Sequence, residues 1–435
     1  MHGTFLTVFK RPPDAKNDYI EELAARWRTY PEALHPFDRK LHRPSAINPI
    51  PRWEKVDRID PILHLRSTTL KSPGGEAQLT RLVSALHGEA LDPAQPLWQI
   101  DLIDGLEGGR FALVGRMHHA LVDGIGALQI VARWLSEQSD RRDQPPIWAA
   151  PRRVRPSANR HPSFTSLPQR IEARARSLGA LAPLSARVAR NAIGGVSSRG
   201  WSAPPTPLNT RITARRLLIR RTYKLAHLRE LGARADATIN DVVLCVCAGA
   251  LRSYLLAADR LPQRSLTANI PVSIRTRNGA GNGAGNRISW AMVGLGTEIA
   301  APAERLVSIR DATAEAKQRL GEMPGRSIDA YTLLAVTPIL AEQLSRVGGR
   351  VRPIFNVPIS NVPGPRRTLY LDGAELEEIQ ALTVIYDGYA ANLVTLSYCD
   401  KIEFAFTVCD EVVAAASSLG PACDEALLAL DQALS

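Results

Sequence analysis

A chain of 435 residues, 45% of them hydrophobic, holds enough apolar side chain to bury the cores of two domains. The formal net charge of +11 is mostly arginine, since only 8 of the 54 basic residues are lysine; no zinc finger, aromatic-rich RNA motif or basic helical repeat accompanies it, which argues against nucleic-acid binding and leaves an acidic surface or a phosphate-bearing ligand. Five cysteines without a C-x-x-C pair point to a reducing compartment, and no apolar run reaches transmembrane length.

Thr4–Phe9 reads as a strand, without the basic start or cleavage site of a signal peptide. Asp18–Tyr30 has helical spacing through Tyr19, Leu23, Arg26 and Trp27, and the prolines from Pro31 to Pro51 then break the chain. Ile62–Arg66, which includes His64, reads as a strand, and Gly75–Leu86 as a helix. Pro96-Leu97-Trp98 opens the strand Trp98–Ile103; a Trp after a Pro turn either fixes the entry of the chain into a sheet or walls a cavity.

The next strand carries the chemistry. Phe111, Leu113, Gly115, Met117 and His119 fall on one side of a period-2 pattern, and Ala112, Val114, Arg116 and His118 on the other. Two adjacent histidines on opposite faces argue against one shared metal ion. After Gly124 the period changes to helical, through Ile125, Leu128, Val131, Ala132 and Leu135, up to about Gln138. Asp123 stands at the strand-to-helix junction, where its carboxylate folds back on the loop or caps the helix. A histidine at a strand end can take a proton from a hydroxyl and return it to a leaving group, a step worth roughly 10²–10⁴ in rate. One core and one surface histidine is the plainer alternative.

Residues 139–210 read as a linker rich in Arg and Pro, with a basic amphipathic helix over Leu167–Ile193 that Pro183 kinks or splits. That helix either lies on an anionic membrane or packs across both domains. Arg215–Tyr223 is a strand, and a short helix lies around Leu225–Leu231. Thr238-Ile239-Asn240-Asp241 has capping character, and Val242–Leu256 is apolar nearly all round, so its Cys245 and Cys247 read as core. Asn240 is an N-terminal cap or an amide that faces developing negative charge. Ile270–Arg275 is a strand, and the Gly-rich 278–286 that follows lacks the Lys-Ser/Thr of a nucleotide P-loop. Leu306, Ile309, Ala316 and Leu320 outline a helix and Tyr331–Leu344 another, buried one. The strand Ile354–Val362 ends in Ser360-Asn361-Val362-Pro363-Gly364-Pro365, whose prolines and glycine force a defined loop. Ala381–Tyr386, Asn392–Tyr398 and Ile402–Val408 continue as strands, and the tail is helical from about Cys423.

His118-His119-x-x-x-Asp123-Gly124 resembles the HHxxxDG signature of the CoA-dependent acyltransferase superfamily. Together with Pro96-Leu97-Trp98, Asn240-Asp241 and Ser360–Pro365, in this order and at these separations, it resembles the bacterial wax ester synthase/acyl-CoA:diacylglycerol acyltransferase family over about residues 1–420. The resemblance implies an α/β fold of two chloramphenicol-acetyltransferase-like domains, each a mixed sheet flanked by helices, with an active-site tunnel between them. The domains expected are 1–138, with the signature, and 211–435, joined by the linker 139–210. Relatives usually begin with a further helical segment, whereas this sequence begins at the strand.

The resemblance also implies a long-chain acyl transfer from acyl-CoA to diacylglycerol or a long-chain alcohol, with His119 as general base. Asp123 would hold the loop, and Asn240 would be a candidate oxyanion partner. His118, Gly124, Pro96, Leu97, Trp98 and Asp241 would border the substrates, and Arg275 would meet the CoA phosphates. No metal and no cofactor beyond the co-substrate acyl-CoA is expected. The expected location is the cytoplasm, peripheral on the inner face of the membrane or on lipid droplets. Transfer to another small or carrier-bound acceptor, and a non-catalytic lipid-binding role, are the alternatives; the Asn-Asp and Ser-Asn-Val-Pro-Gly-Pro stretches speak against the first.

Overall fold

The computed structural model describes residues 2–42, 52–122, 124–150, 203–274, 287–322 and 345–435, with 337, 339, 342 and 343 besides. The expected linker helix 167–193, the Gly-rich stretch 278–286, Arg275, Asp123 and most of 331–344 lie outside these residues.

The N-terminal part begins with β1 (His2–Lys10), α1 (Tyr19–Trp27) and a hairpin of β2 (Arg39–His42) and β3 (Arg52–Lys55). The hairpin falls in the proline-broken stretch and has no apolar alternation to announce it. Then come α2 (Pro61–His64), β4 (Leu65–Thr69), α3 (Glu76–Gly88), β5 (Trp98–Leu106), β6 (Arg110–His118) and α4 (Gly124–Trp134). His64 therefore ends a short helix and is not a strand residue. Pro61 at the first helical position and the Asp60 carboxylate, which accepts the Ile62 N–H, start that turn.

The C-terminal part comprises β7 (Leu217–Lys224), α5 (Leu225–Arg234), α6 (Ile239–Ala257), β8 (Thr267–Ile274), β9 (Arg287–Gly294), α7 (Pro302–Glu322), β10 (Val357–Pro363), β11 (Tyr370–Leu371), β12 (Ala374–Leu382), β13 (Ala391–Tyr398), β14 (Lys401–Val408) and α8 (Leu419–Leu434). Helix α6 is long and apolar enough to cross a membrane by composition alone, with mean hydropathy 1.5. Its side chains from Asp241 to Leu251 are buried, and it forms the centre of the C-terminal core with α7 and α8. Cys245 and Cys247 lie in that core, and burial pushes the Cys245 thiol up to about 11.

Two six-stranded mixed sheets result. The first has the order β11-β12-β1-β6-β5-β4, antiparallel except for β4 with β5. The second has the order β7-β14-β13-β10-β8-β9, with β10 parallel to both β13 and β8. The alternation of β6 is realised as read: Phe111, Leu113 and Met117 enter one core cluster, and Ala112 and Val114 another.

The sheets exchange strands between the two halves of the chain. Strands β11 and β12 leave the C-terminal half and complete the N-terminal sheet, with Leu382 opposite Thr4 and Glu375 opposite Lys10. The edge of β1 would otherwise carry unpaired backbone groups. The cores follow the same exchange: Val362, Val394 and Leu396 pack with the N-terminal aromatics, and Leu218 and Ala405 pack with Leu6 and Val8. Leu218 also donates its N–H to Ser84 Oγ at 3.0 Å.

Candidate active site

Strand β6 delivers the histidine pair to a turn at its end. The His118 N–H donates to Leu97 O at 2.9 Å, and the Leu121 N–H to His118 O at 2.8 Å, so the chain leaves the sheet at a fixed point. Beneath it, Arg116 is fully buried: it pairs with Asp101 and Glu89, each at 3.1 Å, and donates to Gln99 Oε1 at 2.8 Å and Leu86 O at 3.0 Å. A buried guanidinium with several partners locks the strand end in place, because releasing any one of them strands a charge.

The two histidines have different surroundings. His118 pairs in register with His2 of β1. Its Nδ1 accepts the Ala120 N–H at 3.2 Å, so that ring closes on its own turn. Burial, with the neighbouring His119, holds His118 below its ordinary pKa and keeps it neutral. His119 is half-buried, and its Nε2 lies 3.4 Å from Thr383 Oγ1, just beyond β12. The second histidine thus faces a segment of the C-terminal half.

Behind Thr383 lies a buried polar array. His87 Nδ1 lies 2.7 Å from Thr4 Oγ1. His2 packs edge-on against His87 with centroids 5.3 Å apart. Burial pulls His87 down to about 4 and His2 to about 3, so both rings are neutral.

Asn240 occupies the first turn of α6, after the N-cap Thr238. Its Oδ1 lies 3.5 Å from Asn361 Nδ2 on β10, and Asn361 Oδ1 accepts from Thr395 Oγ1 of β13 at 3.1 Å. The Asn-Asp and Ser-Asn-Val-Pro-Gly-Pro stretches therefore meet, side chain to side chain. The motif was legible, but Asn361 as a member of the site was not.

Asp241 and the Pro96–Trp98 triplet, expected to border the substrates, are both buried. Asp241, placed among the substrate-bordering residues, is 1% exposed. One of its oxygens accepts the N–H and hydroxyl of Thr238 at 2.9 and 2.6 Å, and the other accepts Thr313 Oγ1 at 2.6 Å. A carboxylate so occupied caps α6 and ties it to α7. Pro96, Leu97 and Trp98 are likewise all buried. Trp98 stacks on His64 at 4.1 Å, packs near Trp148 and Phe37, and gives its indole N–H to Phe37 O at 2.8 Å. The triplet fixes the chain's entry into the sheet and pins His118 through Leu97 O. Gly124 starts α4.

Among the described residues no three His, Cys, Asp or Glu side chains gather to hold a metal ion. The arrangement offers one half-buried imidazole at a strand end with the Thr383 hydroxyl from the other half beside it. Such a set suits proton transfer to and from oxygen or sulfur.

Comparison with known proteins agrees with this chemistry. Residues 1–243 match the wax ester synthase/diacylglycerol acyltransferase catalytic domain model, and residues 284–431 match the C-terminal domain model of the same family. A Mycobacterium tuberculosis protein named as a probable diacylglycerol O-acyltransferase is 33% identical over 438 residues, spanning 100% of this chain and 95% of the relative. The O-acyltransferase WSD of Acinetobacter baylyi is 30% identical over 94% of this chain and 88% of its own length. Among solved structures, the wax ester synthase/diacylglycerol acyltransferase of Marinobacter aquaeolei VT8 superposes with a TM-score of 0.79 at 30% identity, covering 100% and 95% of the two chains. The first condensation domain of the calcium-dependent antibiotic synthetase shares the fold, with a TM-score of 0.57 at 15% identity.

Proposed function

The chain belongs to the wax ester synthase/diacylglycerol acyltransferase family, and from that premise we propose that His119 is the general base in the transfer of a long-chain acyl group from acyl-CoA to the hydroxyl of diacylglycerol or a long-chain alcohol. The observation that carries the assignment is the contrast between the two rings: His118 closes on its own turn, whereas the half-buried His119 faces the C-terminal half.

The reaction proceeds in one ternary complex. His119 takes the hydroxyl proton, the oxygen attacks the thioester carbonyl, and the tetrahedral intermediate collapses with loss of the CoA sulfur, to which His119 returns the proton. No acyl-enzyme is needed, so no Ser or Cys nucleophile is assigned, and no cofactor enters. Asn240, held by Asn361, would be the oxyanion partner that meets developing negative charge. Asp123 holds the turn after the histidines, and Arg275 meets the CoA phosphates. Peripheral contact with an anionic membrane or a lipid droplet, from the cytoplasmic side, belongs to the same reading. Its support is the net charge of +11 and the arginines around 167–193; co-sedimentation with anionic vesicles tests it.

The test of function is an acceptor panel with radiolabelled palmitoyl-CoA: diacylglycerol, hexadecanol, or no acceptor. Labelled triacylglycerol or wax ester is expected. Product from neither acceptor would favour a lipid-binding protein instead.

A further inference from the structure

The catalytic reading gives no task to the crossover that carries the chain from β12 in the first sheet to β13 in the second. We propose that Thr383, the first residue of that crossover, is a positioning residue for His119. The inference rests on the assignment of His119 as the base.

Two observations carry it. Thr383 Oγ1 lies 3.4 Å from His119 Nε2, across a sequence separation of 264 residues. Strand β12, which Thr383 follows, and strand β6, which leads into His119, both pair with β1, so one sheet sets both residues. Both residues are half-buried, so each has few alternative partners.

A base nitrogen works when its lone pair points at the proton it will take. When Nε2 carries no proton, the Thr383 hydroxyl donates to it in the resting enzyme and holds the imidazole plane. The acceptor hydroxyl enters beside the threonine hydroxyl, which keeps the ring plane fixed, so the ring need not search for its orientation. The device also ties the base to the C-terminal half: Thr383 follows β12, and two residues later the chain is buried again at Ile385 on its way to β13. The base is thereby correctly oriented only when the crossover is seated.

The test compares Thr383→Val and Thr383→Ser in the full-length protein, with palmitoyl-CoA and either acceptor. Valine conserves the shape and removes the hydroxyl; serine keeps the hydroxyl. Thr383→Val should lower kcat about 10-fold with the KM for palmitoyl-CoA unchanged, and Thr383→Ser should restore kcat. Wild-type kcat in Thr383→Val would overturn the proposal, as would equal loss in the Val and Ser variants, which would mark packing rather than the hydroxyl. A His119→Ala control separates the two readings. If it is inactive while Thr383→Val turns over normally, only the positioning role fails. If it is active, the base assignment fails and this role goes with it.

Discussion

Asn361 on β10 turns its amide toward Asn240 on the first turn of α6, with Nδ2 3.5 Å from Oδ1. That pairing, backed by Thr395 Oγ1 on Asn361 Oδ1, fixes which way the Asn240 side chain faces. If Asn240 supplies a hydrogen bond to the oxyanion, the cost of its loss should appear in turnover. Asn240→Ala should lower kcat about 10²-fold, within the usual range for one oxyanion donor, and leave the KM for acyl-CoA within a few-fold. Asn361→Ala should act in the same direction but more weakly. Steady-state kinetics on both variants reads this directly; undiminished kcat in Asn240→Ala would leave the residue only its contact with Asn361.

Asp241 behaves in the opposite way. Its carboxylate joins Thr238 to Thr313, and so α6 to α7. Asp241→Ala should cost ~2 kcal/mol in stability, from a lost cap and a buried threonine hydroxyl left short of a partner. Urea unfolding measures it. Activity per folded molecule should stay near wild type, which separates Asp241 from its neighbour.

Glu403 gives the protein a pH-dependent joint between its sheets. It is buried on β14 and accepts hydrogen bonds from Thr222 of β7 at 2.6 Å and from Gln380 of β12 at 3.3 Å. Burial, aided by the nearby Glu378, raises it from 4.5 to about 7. The folded chain thus holds this proton at pH values where the unfolded chain has released it. Its contribution to stability is full below about 4.5 and is lost as pH rises through about 7. The loss should amount to ~2–3 kcal/mol across that window. Glu403→Gln should flatten the melting temperature over the same range. An unchanged pH dependence in that variant would show that the proton belongs to another group.

These predictions depend unequally on what a reader of the sequence could see. The β6 strand was plain because Phe111 to Met117 alternate against two different cores, and a period of 2 records that in the chain itself. The apolar α6 and the capping pattern of Thr238 with Asp241 were plain for similar local reasons. Strand β12 was placed too late, because Glu375, Glu377 and Glu378 mask its buried positions. Glu378 is balanced by Arg220, a residue far away in the chain, which no local pattern reveals. The His119–Thr383 contact is of the same kind. A lone threonine after a strand carries no signal until the crossover folds it against a turn more than half the chain away. Trp98 was ambiguous between wall and packing; its indole N–H on Phe37 O decides for packing.

Acyl transfer in this protein rests on one imidazole. The most direct measurement is transfer of radiolabelled palmitoyl groups to diacylglycerol and to hexadecanol by His119→Ala, beside wild type and His118→Ala. The account predicts that His119→Ala forms no labelled ester while its melting temperature and CoA binding match those of the wild type. It predicts measurable turnover in His118→Ala. Ester formation by His119→Ala at the wild-type rate would contradict it.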